Sequence, residues 1–337
     1  MNLKDIIFSL FKYKSPEKHN FVLLEDDESD KSSNSSQSIK NDTNIPETKN
    51  IFPALSVNLE YVKTKYNSMI NSDIIIREFT LNARGKQYSA FILYIDGMIN
   101  TDIMNKFILE PLMLKNRSNM FDGEQNRIIS EAVTNNITVR KVKKFDLSEY
   151  ILGCLMPQNS VEQYSEFEKI FNDINSGNCA LFIDTLTIAF DIDVKGFKQR
   201  SVERPQNEIV INGAHEAFVE NIRTNTSLLR RNVHNENLII ENFSIGKITK
   251  TPSALCYVQN IANSDLVDEV RYRLNNIEVD SLLSTGQLEQ LIIDSNIMDI
   301  PQVLSTERPD KASGYLLDGR IIVLVNGTPY ALIAPAI

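Results

Sequence analysis

The chain has 337 residues, of which 44 are acidic and 35 basic, giving a formal net charge of −9 at pH 7. Because nucleic-acid binding depends on a positively charged face that releases counterions, this balance argues against a nucleic-acid-binding protein. The length is enough for two ordinary domains with cores of their own. No stretch approaches the roughly 18 consecutive apolar residues that a spanning helix requires. We therefore predict a chain that is soluble or attached only to a membrane surface.

Apolar residues recur at helical spacing in residues 1–14, with lysines beside them. The pattern is typical of a short basic amphipathic helix lying on an anionic membrane, and it fits a helix docked on its own protein or a frayed end equally well. In residues 15–52 Ser, Asn, Asp, Glu and Lys predominate. Such a composition buries too little apolar surface to offset the entropy lost on ordering. A disordered tether is therefore predicted there.

Four pairs of strings recur in the same order in the two halves of the remaining chain. The segments 74–81 and 238–245 match position by position, and the other pairs begin at Tyr94 and Tyr257, at Met156 and Ile300, and at Gly177 and Gly319. One such coincidence is weak evidence, but four in one order indicate an internal repeat. We infer two copies of one α/β module, at 53–197 and 198–337.

Each copy is predicted to begin with a helix, at 58–70 and at 215–231. Two strands follow, at 74–81 and 88–95 in the first copy and at 238–245 and 254–258 in the second. The next predicted element is a helix, at 102–113 in the first copy and 265–274 in the second. In both copies a string Asn-Thr/Ser-Asp is expected to cap its start. Further helical segments follow, including 311–317 with Asp310 at its start. Each copy is predicted to end in a hairpin. In the first copy its strands are 180–183 and 187–190, joined by Asp184-Thr185; in the second, the strand 321–325 leads into Asn326-Gly327, a pair typical of a type I′ turn.

The predicted fold is therefore α/β, with two tandem, structurally similar layered subdomains after a disordered N-terminal tail. We expect mixed sheets, with the helices packed mainly on one face of each sheet.

The two copies are joined by a distinctive connector, residues 200–213. Pro205 disfavours a helical conformation at Arg204, so the connector is predicted to be extended and to enter a short strand at 209–211. Gly213 is then the expected N-cap of the 215–231 helix.

Charges along this helix follow its dipole, with Glu216 in the predicted first turn and Arg230 and Arg231 in the last. Asn225 lies on the apolar stripe of the helix. Because a buried amide needs hydrogen-bond partners, we expect it to bond to backbone or to a carboxylate of a neighbouring element.

Charged residues around the connector alternate in sign. Isolated surface charges contribute little, but the alternation suggests an ion-pair network that fixes how the two modules, or neighbouring subunits, meet. The candidate residues are Glu203, Arg204, Pro205, Glu208, Gly213, Glu216, Arg223, Asn225, Arg230, Arg231, Arg308 and Asp310.

The sequence contains no pattern typical of a catalytic, metal or cofactor site. The histidines and cysteines are scattered, without ligand spacing, and no P-loop, GxGxxG or nucleophile elbow occurs. We therefore expect no metal, no cofactor and no enzymatic activity, and reduced core cysteines at 154, 179 and 256. The pair Asp96-Gly97 ends a predicted strand, where ligand clefts occur in α/β proteins, and an ordinary turn explains it as well.

Residues 200–231, RSVERPQNEIVINGAHEAFVENIRTNTSLLRR, strongly resemble the signature of the A subunit of GerA-type spore germinant receptors. The likeness continues through 307–310, 316–320 and 326–335. One departure is Ala214, where the family usually has proline after the glycine.

This resemblance implies the soluble N-terminal region of a receptor A subunit, without the membrane-spanning part of the family. It implies a non-enzymatic assembly and signal-coupling module that works with B and C subunits and with further A copies. The implied location is the spore inner membrane, with this region on the cytoplasmic side, where nutrients trigger germination and ion release. The alternative is a two-lobed sensor that closes on a small-molecule germinant.

Overall fold

The computed structural model describes residues 49–83, 86–113, 146–158, 160–196, 205, 207, 208, 213–294 and 301–336. All of them belong to one unit, Ile45–Ile337. The helix predicted at 1–14, most of the tether and the strand predicted at 209–211 lie outside the described residues.

The first half of the described chain forms one five-stranded sheet with its helices. The strand order is β1-β2-β4-β5-β3, and every pairing is antiparallel. The elements are α1 (Leu55–Lys65), β1 (Ile74–Ala83), β2 (Lys86–Ile95), α2 (Thr101–Met104, continued by a π-helical turn Asn105–Leu109 and by Glu110–Met113), α3 (Leu147–Tyr150, continued by a π-helical turn Ile151–Leu155), β3 (Val161–Tyr164), α4 (Phe167–Asn175), β4 (Cys179–Ile183) and β5 (Ala189–Ile192).

The second half repeats this arrangement element by element. Its sheet has the order β6-β7-β9-β10-β8, so each strand occupies the place of its counterpart, and the pairings are again antiparallel. The predicted pair of tandem α/β units is confirmed. The elements are α5 (Ile222–Asn232), β6 (Leu238–Ile245), β7 (Thr251–Val258), α6 (Ser264–Asn275), α7 (Thr285–Ile292), β8 (Leu304–Thr306), α8 (Pro309–Leu317), β9 (Ile321–Val325) and β10 (Ala331–Ala334).

Helices cover both faces of each sheet, so the prediction of one covered face is wrong. In the first unit α1 and α4 pack on one face and α2 and α3 on the other. In the second, α5 and α8 oppose α6 and α7. The reason is visible in β4 and β9, which are buried at every position. Such uninterrupted apolar strands need a covering layer on both sides.

Mixed sheets were also expected, and that detail is wrong because all the described pairings are antiparallel. Strands that follow one another through tight hairpins, as β1 and β2 or β4 and β5 do, are necessarily antiparallel.

Several predicted boundaries shift. The first helix begins and ends earlier than 58–70, and β5 begins at Ala189 rather than at 187. The second helix begins at Ile222, not 215, so Gly213 is not its cap and Glu216 precedes it. Its N-cap is Asn221, whose side chain accepts from Thr224 N at 3.1 Å. The predicted caps of the next helices are confirmed, since Asn100 and its counterpart in the repeat accept backbone N–H groups of the first turn.

A buried asparagine holds the chain that enters each copy. Asn225 is completely buried, accepts from Val219 N at 2.8 Å and donates to Val219 O at 2.6 Å. Asn58 makes the same two bonds with Phe52, at 2.9 and 2.7 Å. The expectation that Asn225 bonds to backbone is confirmed, and its partner lies six residues earlier in both copies.

The closing hairpin caps the first helix in each copy. Leu55 N donates to Asp184 Oδ1 at 3.2 Å, and Ile222 N donates to Asn326 Oδ1 at 3.2 Å. The residue after each turn side chain has a positive φ, 74° for the threonine of the first hairpin and 93° for the glycine of the second. Thr185 thus adopts a positive φ, a backbone conformation that glycine adopts more easily than threonine.

Candidate functional site: the junction between the two sheets

The two sheets do not share an apolar core. In the part of the chain that the structure describes, each of the four buried apolar clusters draws its residues from one sheet only. The described side chains that reach from one half to the other are mainly polar, so we treat the junction as the candidate functional site.

A buried ion pair lies at the centre of this junction. Arg230, in the last turn of α5, donates from Nε to Asp73 Oδ2 at 2.8 Å and from Nη2 to Asp73 Oδ1 at 2.9 Å. The two side chains are only 2% and 1% exposed. Arg230 Nη2 also donates to Asn71 Oδ1 at 3.1 Å, and Nη1 to Asn235 O at 3.2 Å. A planar guanidinium suits this bidentate geometry, which lysine would not reproduce.

The loop between α1 and β1 also pairs with the edge of the second sheet. Ser72 N donates to Ile240 O at 2.9 Å, and Ile240 N donates to Asn71 Oδ1 at 3.0 Å. Asn242 N donates to Ser72 Oγ at 3.2 Å, and Asn71 Nδ2 reaches Leu238 O at 3.1 Å. The first half of the chain thus satisfies part of the outer edge of β6, which would otherwise present free backbone groups.

This loop is longer in the first copy than in the second. Eight residues separate α1 from β1, whereas five separate α5 from β6. The additional residues fall in the segment 66–73 that contacts the second sheet. The junction is thus built from an insertion that only one copy of the module carries.

A second, more exposed ion pair closes the periphery of the junction. Arg223 Nη2 lies 3.1 Å from Asp96 Oδ2, with side-chain exposures of 37% and 36%. Gly97, with φ of 85°, lets the turn approach Arg223, because a Cβ there would lie 3.0 Å from Arg223 Cδ. The Asp96-Gly97 turn therefore belongs to the junction. Lys65 and Glu236 form a further pair across it at 3.1 Å.

The described part of the connector docks on the second sheet. Glu208 accepts from Thr306 Oγ1 at 2.8 Å and from Lys311 Nζ at 3.2 Å. The buried Glu307 accepts from Asn207 N at 3.2 Å. These contacts fasten the connector to β8 and to the start of α8.

Two further candidate arginines form ion pairs within the second half. Arg231 pairs with Glu216 at 3.3 Å. Arg308 bonds to Asp310 two residues away, and this hydrogen bond lowers the pKa of the Asp310 carboxyl. Pro205 is buried, and Glu203 and Arg204 lie outside the described residues.

Of the charged candidates, Arg223 and Arg230 reach the first sheet. The partners of Arg230 were missed, since neither Asp73 nor Asn71 was singled out in the sequence. Asp96, the partner of Arg223, was named there only as part of a possible ligand cleft or turn. The available signal was the difference in loop length between the two copies, since an insertion at one place in a repeat often carries a contact that the other copy lacks.

No group of three or more His, Cys, Asp or Glu side chains within the described ranges is arranged to hold a metal ion. Cys179 and Cys256 are buried free thiols, and burial raises the pKa of both. They are therefore neutral and unreactive core residues. The side chain of Cys154 lies outside the described part. None of the described helices is long and apolar enough to cross a bilayer.

The fold and the junction define a class: a duplicated antiparallel α/β protein whose halves keep separate cores and meet through a polar joint. The chain belongs to the Bacillus/Clostridium GerA spore germination protein family, whose sequence model matches residues 60–337.

Relatives agree with this assignment. The chain is 31% identical to spore germination protein KA of Bacillus subtilis over 85% of this chain and 48% of that protein. It is 34% identical to spore germination protein B1 of the same organism over 79% of this chain and 50% of that protein. The chain thus spans about half the length of these curated relatives.

A solved structure is also similar. The crystal structure of the N-terminal domain of the A subunit of the Bacillus megaterium spore germinant receptor GerK3 matches with a TM-score of 0.59 and 31% identity, over 86% of this chain and 98% of that one. The predicted resemblance to germinant-receptor A subunits is therefore confirmed, and the chain corresponds to the N-terminal domain of such a subunit.

Proposed function

We propose that this chain is a non-enzymatic assembly and signal-coupling module of a nutrient-responsive germinant receptor. In this role the two α/β units transmit a rearrangement of one part of the receptor to another, and the receptor's response leads to ion release. The proposal is supported by membership of the GerA family.

The proposed partners are receptor B and C subunits and further copies of the A subunit. The proposed location is the inner membrane of the spore, with this region on its cytoplasmic side and any membrane contact made by other segments or by residues 1–14. The support is the likeness to a domain described as part of a receptor A subunit.

One observation carries the coupling role. The two units have separate cores and are joined by the buried Arg230–Asp73 pair and by a loop on the β6 edge. Joints between domains that lack a large apolar interface permit relative motion. A buried charge pair, in contrast, tolerates few alternative geometries, because unpairing either charge leaves the other desolvated. Such a joint transmits displacement of one unit to the other.

Replacing Asp73 by Asn tests this role. The change leaves Arg230 buried without its counter-ion, at a cost of about 3–5 kcal/mol for the joint. Spores that make the Asp73→Asn receptor should therefore respond weakly to nutrient, as measured by the fall in optical density of the suspension. Receptor levels are checked by immunoblot.

The matched control is Glu78→Gln, which makes the same change of charge in an exposed pair within the first sheet. It should leave the response unchanged. If Asp73→Asn lowers receptor levels, Arg230→Lys provides the milder variant, which keeps the charge but loses the bidentate geometry. A full nutrient response at normal levels of either variant would refute the coupling role.

The alternative, a two-lobed sensor, makes a different prediction. Titration calorimetry of the 337-residue chain with candidate nutrients would show saturable binding. Binding that Arg223→Gln weakens would favour the sensor, because Arg223 lies between the two units. Absence of binding would favour the coupling module.

A further inference from the structure

The two residues that follow β10 are held from two sides. Arg320 Nη1 donates to Pro335 O at 3.1 Å and to Ala336 O at 2.8 Å. Ala336 N donates to Gln302 O at 2.9 Å, and Gln302 Oε1 in turn accepts from Asp294 N at 3.0 Å. The chain therefore leaves the second sheet in a defined direction.

The Arg320 guanidinium is itself positioned by the end of α8. Its Cζ lies 4.7 Å from the centre of the Tyr315 ring, close enough for attraction between the cation and the aromatic face. Arg320 N also donates to Tyr315 O at 3.0 Å. In the described part of the chain no carboxylate forms an ion pair with Arg320, so its charge is directed to the two carbonyl groups.

The first copy carries a different residue at the equivalent place. Asn178 directly precedes β4, as Arg320 directly precedes β9. The Asn178 side chain donates to Asp191 within the sheet, and the carbonyl that follows β5, Asp193 O, accepts from the neutral amide of Gln158 at 2.8 Å. Of the two outgoing segments that the structure describes, that of the second copy is thus the one held by a charged side chain.

Packed helices connect this point with the junction. α5 carries Arg230, which binds Asp73 of the first half. α5 and α8 share one apolar cluster, in which Leu229 of α5 and Leu316 of α8 are completely buried. Because close-packed interiors transmit displacement instead of absorbing it, a movement received at Arg230 reaches the end of α8.

We propose that Arg320 transmits the displacement of the second unit to the segment after β10, and through that segment to the rest of the receptor subunit. The chain corresponds to an N-terminal domain, so this segment leads towards the remainder of the subunit. Arg320 makes Pro335 and Ala336 follow α8 and β9. Lysine would keep the charge but not the planar group that stacks on Tyr315. The inference rests on the proposed coupling function and names a residue through which the second unit acts.

Hydrogen exchange tests the local contact. In the 337-residue chain with isotope-labelled alanine, NMR should show the Ala336 amide exchanging about tenfold faster or more in Arg320→Gln, because the segment loses its charged hydrogen bonds. The Ala331 amide, inside β10, should not change. Arg320→Lys should fall between the two proteins. Unchanged exchange of Ala336 in Arg320→Gln would overturn the proposal.

The matched control is Arg77→Gln in the first half. Arg77 likewise has no described carboxylate partner, and its Nη2 lies 4.0 Å from Met113 Sδ. Its replacement removes the same charge without touching the segment after β10. It should leave the exchange of the Ala336 amide unchanged.

Spores test the transmission, with receptor amounts matched by immunoblot. The receptor that carries Arg320→Gln should respond with a maximal rate lower by about fivefold or more, measured as the fall in optical density. The nutrient concentration that gives half of the maximal rate should stay the same, because Arg320 acts after the nutrient is detected. Arg320→Lys should restore part of the rate, and it decides the matter if Arg320→Gln does not accumulate.

The junction variant separates this inference from the proposed function. If Asp73→Asn weakens the response and Arg320→Gln does not, the coupling role stands and the role of Arg320 is refuted. If neither variant weakens it, both are refuted. A normal maximal rate with a raised half-maximal nutrient concentration in Arg320→Gln would also refute the role, because detection and not transmission would then be affected.

Discussion

At the scale of single residues, the Arg230–Asp73 pair and the Arg223–Asp96 pair differ in what each contributes. Both cross between the two sheets with short N–O distances, 2.8 and 3.1 Å. The first is desolvated, so its geometry is maintained by the cost of unpairing either charge. The second is about one-third exposed on each side, and water and salt replace it at little cost. The buried pair at the centre of the joint therefore fixes its geometry, whereas the exposed pair at the periphery can open at little cost.

Asp191 is a further buried charge-bearing group, in the first sheet. It is 4% exposed, bonds through Oδ2 to Asn178 Nδ2 at 2.5 Å, and its Oδ1 has no hydrogen-bond partner among the described residues. In the second sheet the equivalent position of β10 is Ile333. Burial is the largest cause that raises the pKa of Asp191 to about 7; the Asp173 and Glu162 carboxylates also act to raise it, and the hydrogen bond from Asn178 acts to lower it.

This pKa predicts how stability depends on pH. An unfolded Asp loses its proton near pH ~3.9, whereas folded Asp191 keeps its proton until about pH 7. The contribution of Asp191 to stability is therefore complete below pH ~4 and is lost as the pH rises towards 7, with a slope of at most ~1.4 kcal/mol per pH unit. Asp191→Asn should remove this component. Denaturant unfolding at several pH values measures it, and equal pH profiles for both proteins would contradict it.

At the scale of elements, the repeated asparagine shows why the start of α5 was misjudged. Charge and apolar spacing favour a helix from residue 215, but Val219 is held by the side chain of Asn225, and Asn326 caps Ile222 N, where the helix begins. Asn225 bonds to a residue six positions before it, whereas Asn326 lies 104 positions from Ile222. The second restraint is tertiary, and a local pattern does not contain it.

Removing the repeated amide should destabilise both copies. Asn225→Ala and Asn58→Ala each leave a backbone N–H and a C=O near a helix start without their partner, at about 1–3 kcal/mol per site. Thermal or denaturant unfolding measures the loss. The control is Asn276→Ala, which removes an exposed hydrogen bond from the side-chain amide to Tyr272 O at the end of α6. This change should alter the free energy of unfolding by less than about 0.5 kcal/mol. An effect no larger than that of the control would contradict the proposed contribution.

At the scale of the whole molecule, two separate cores joined by a polar contact are expected to move against each other. The Arg223–Asp96 pair limits this motion at the periphery. Arg223→Gln should broaden the distribution of distances between spin labels at Lys106 in the first half and Leu317 in the second, measured by pulsed EPR. High salt should broaden the distribution of the unsubstituted chain in the same direction, because it screens exposed pairs.

The matched control is Lys169→Gln, which breaks an exposed pair with Glu166 inside the first half. It should leave the distribution unchanged. A distribution that neither Arg223→Gln nor salt alters would show that the periphery does not restrain the two units.

By itself the sequence determined the duplication, most of the strands, the asparagine caps of α2 and α6, and the resemblance to the germinant-receptor family. It missed β3 and β8 and did not predict the order of the strands in either sheet. The features that it determined follow from short strings, because strand periodicity, caps and hairpin turns depend on residues a few positions apart. The same strings recur in both halves, so an element predicted in one half supported the prediction of its counterpart in the other.

Only the tertiary structure decided which faces are covered, where α5 begins and what Arg230 contacts. Asp73 lies 157 residues from Arg230, and its side chain resembles any other exposed turn aspartate until α5 packs against the inserted loop. An ion pair between residues so far apart produces no local or periodic pattern in the sequence. Its energy also comes from desolvation, which depends on everything that packs around it and not on the two residues alone.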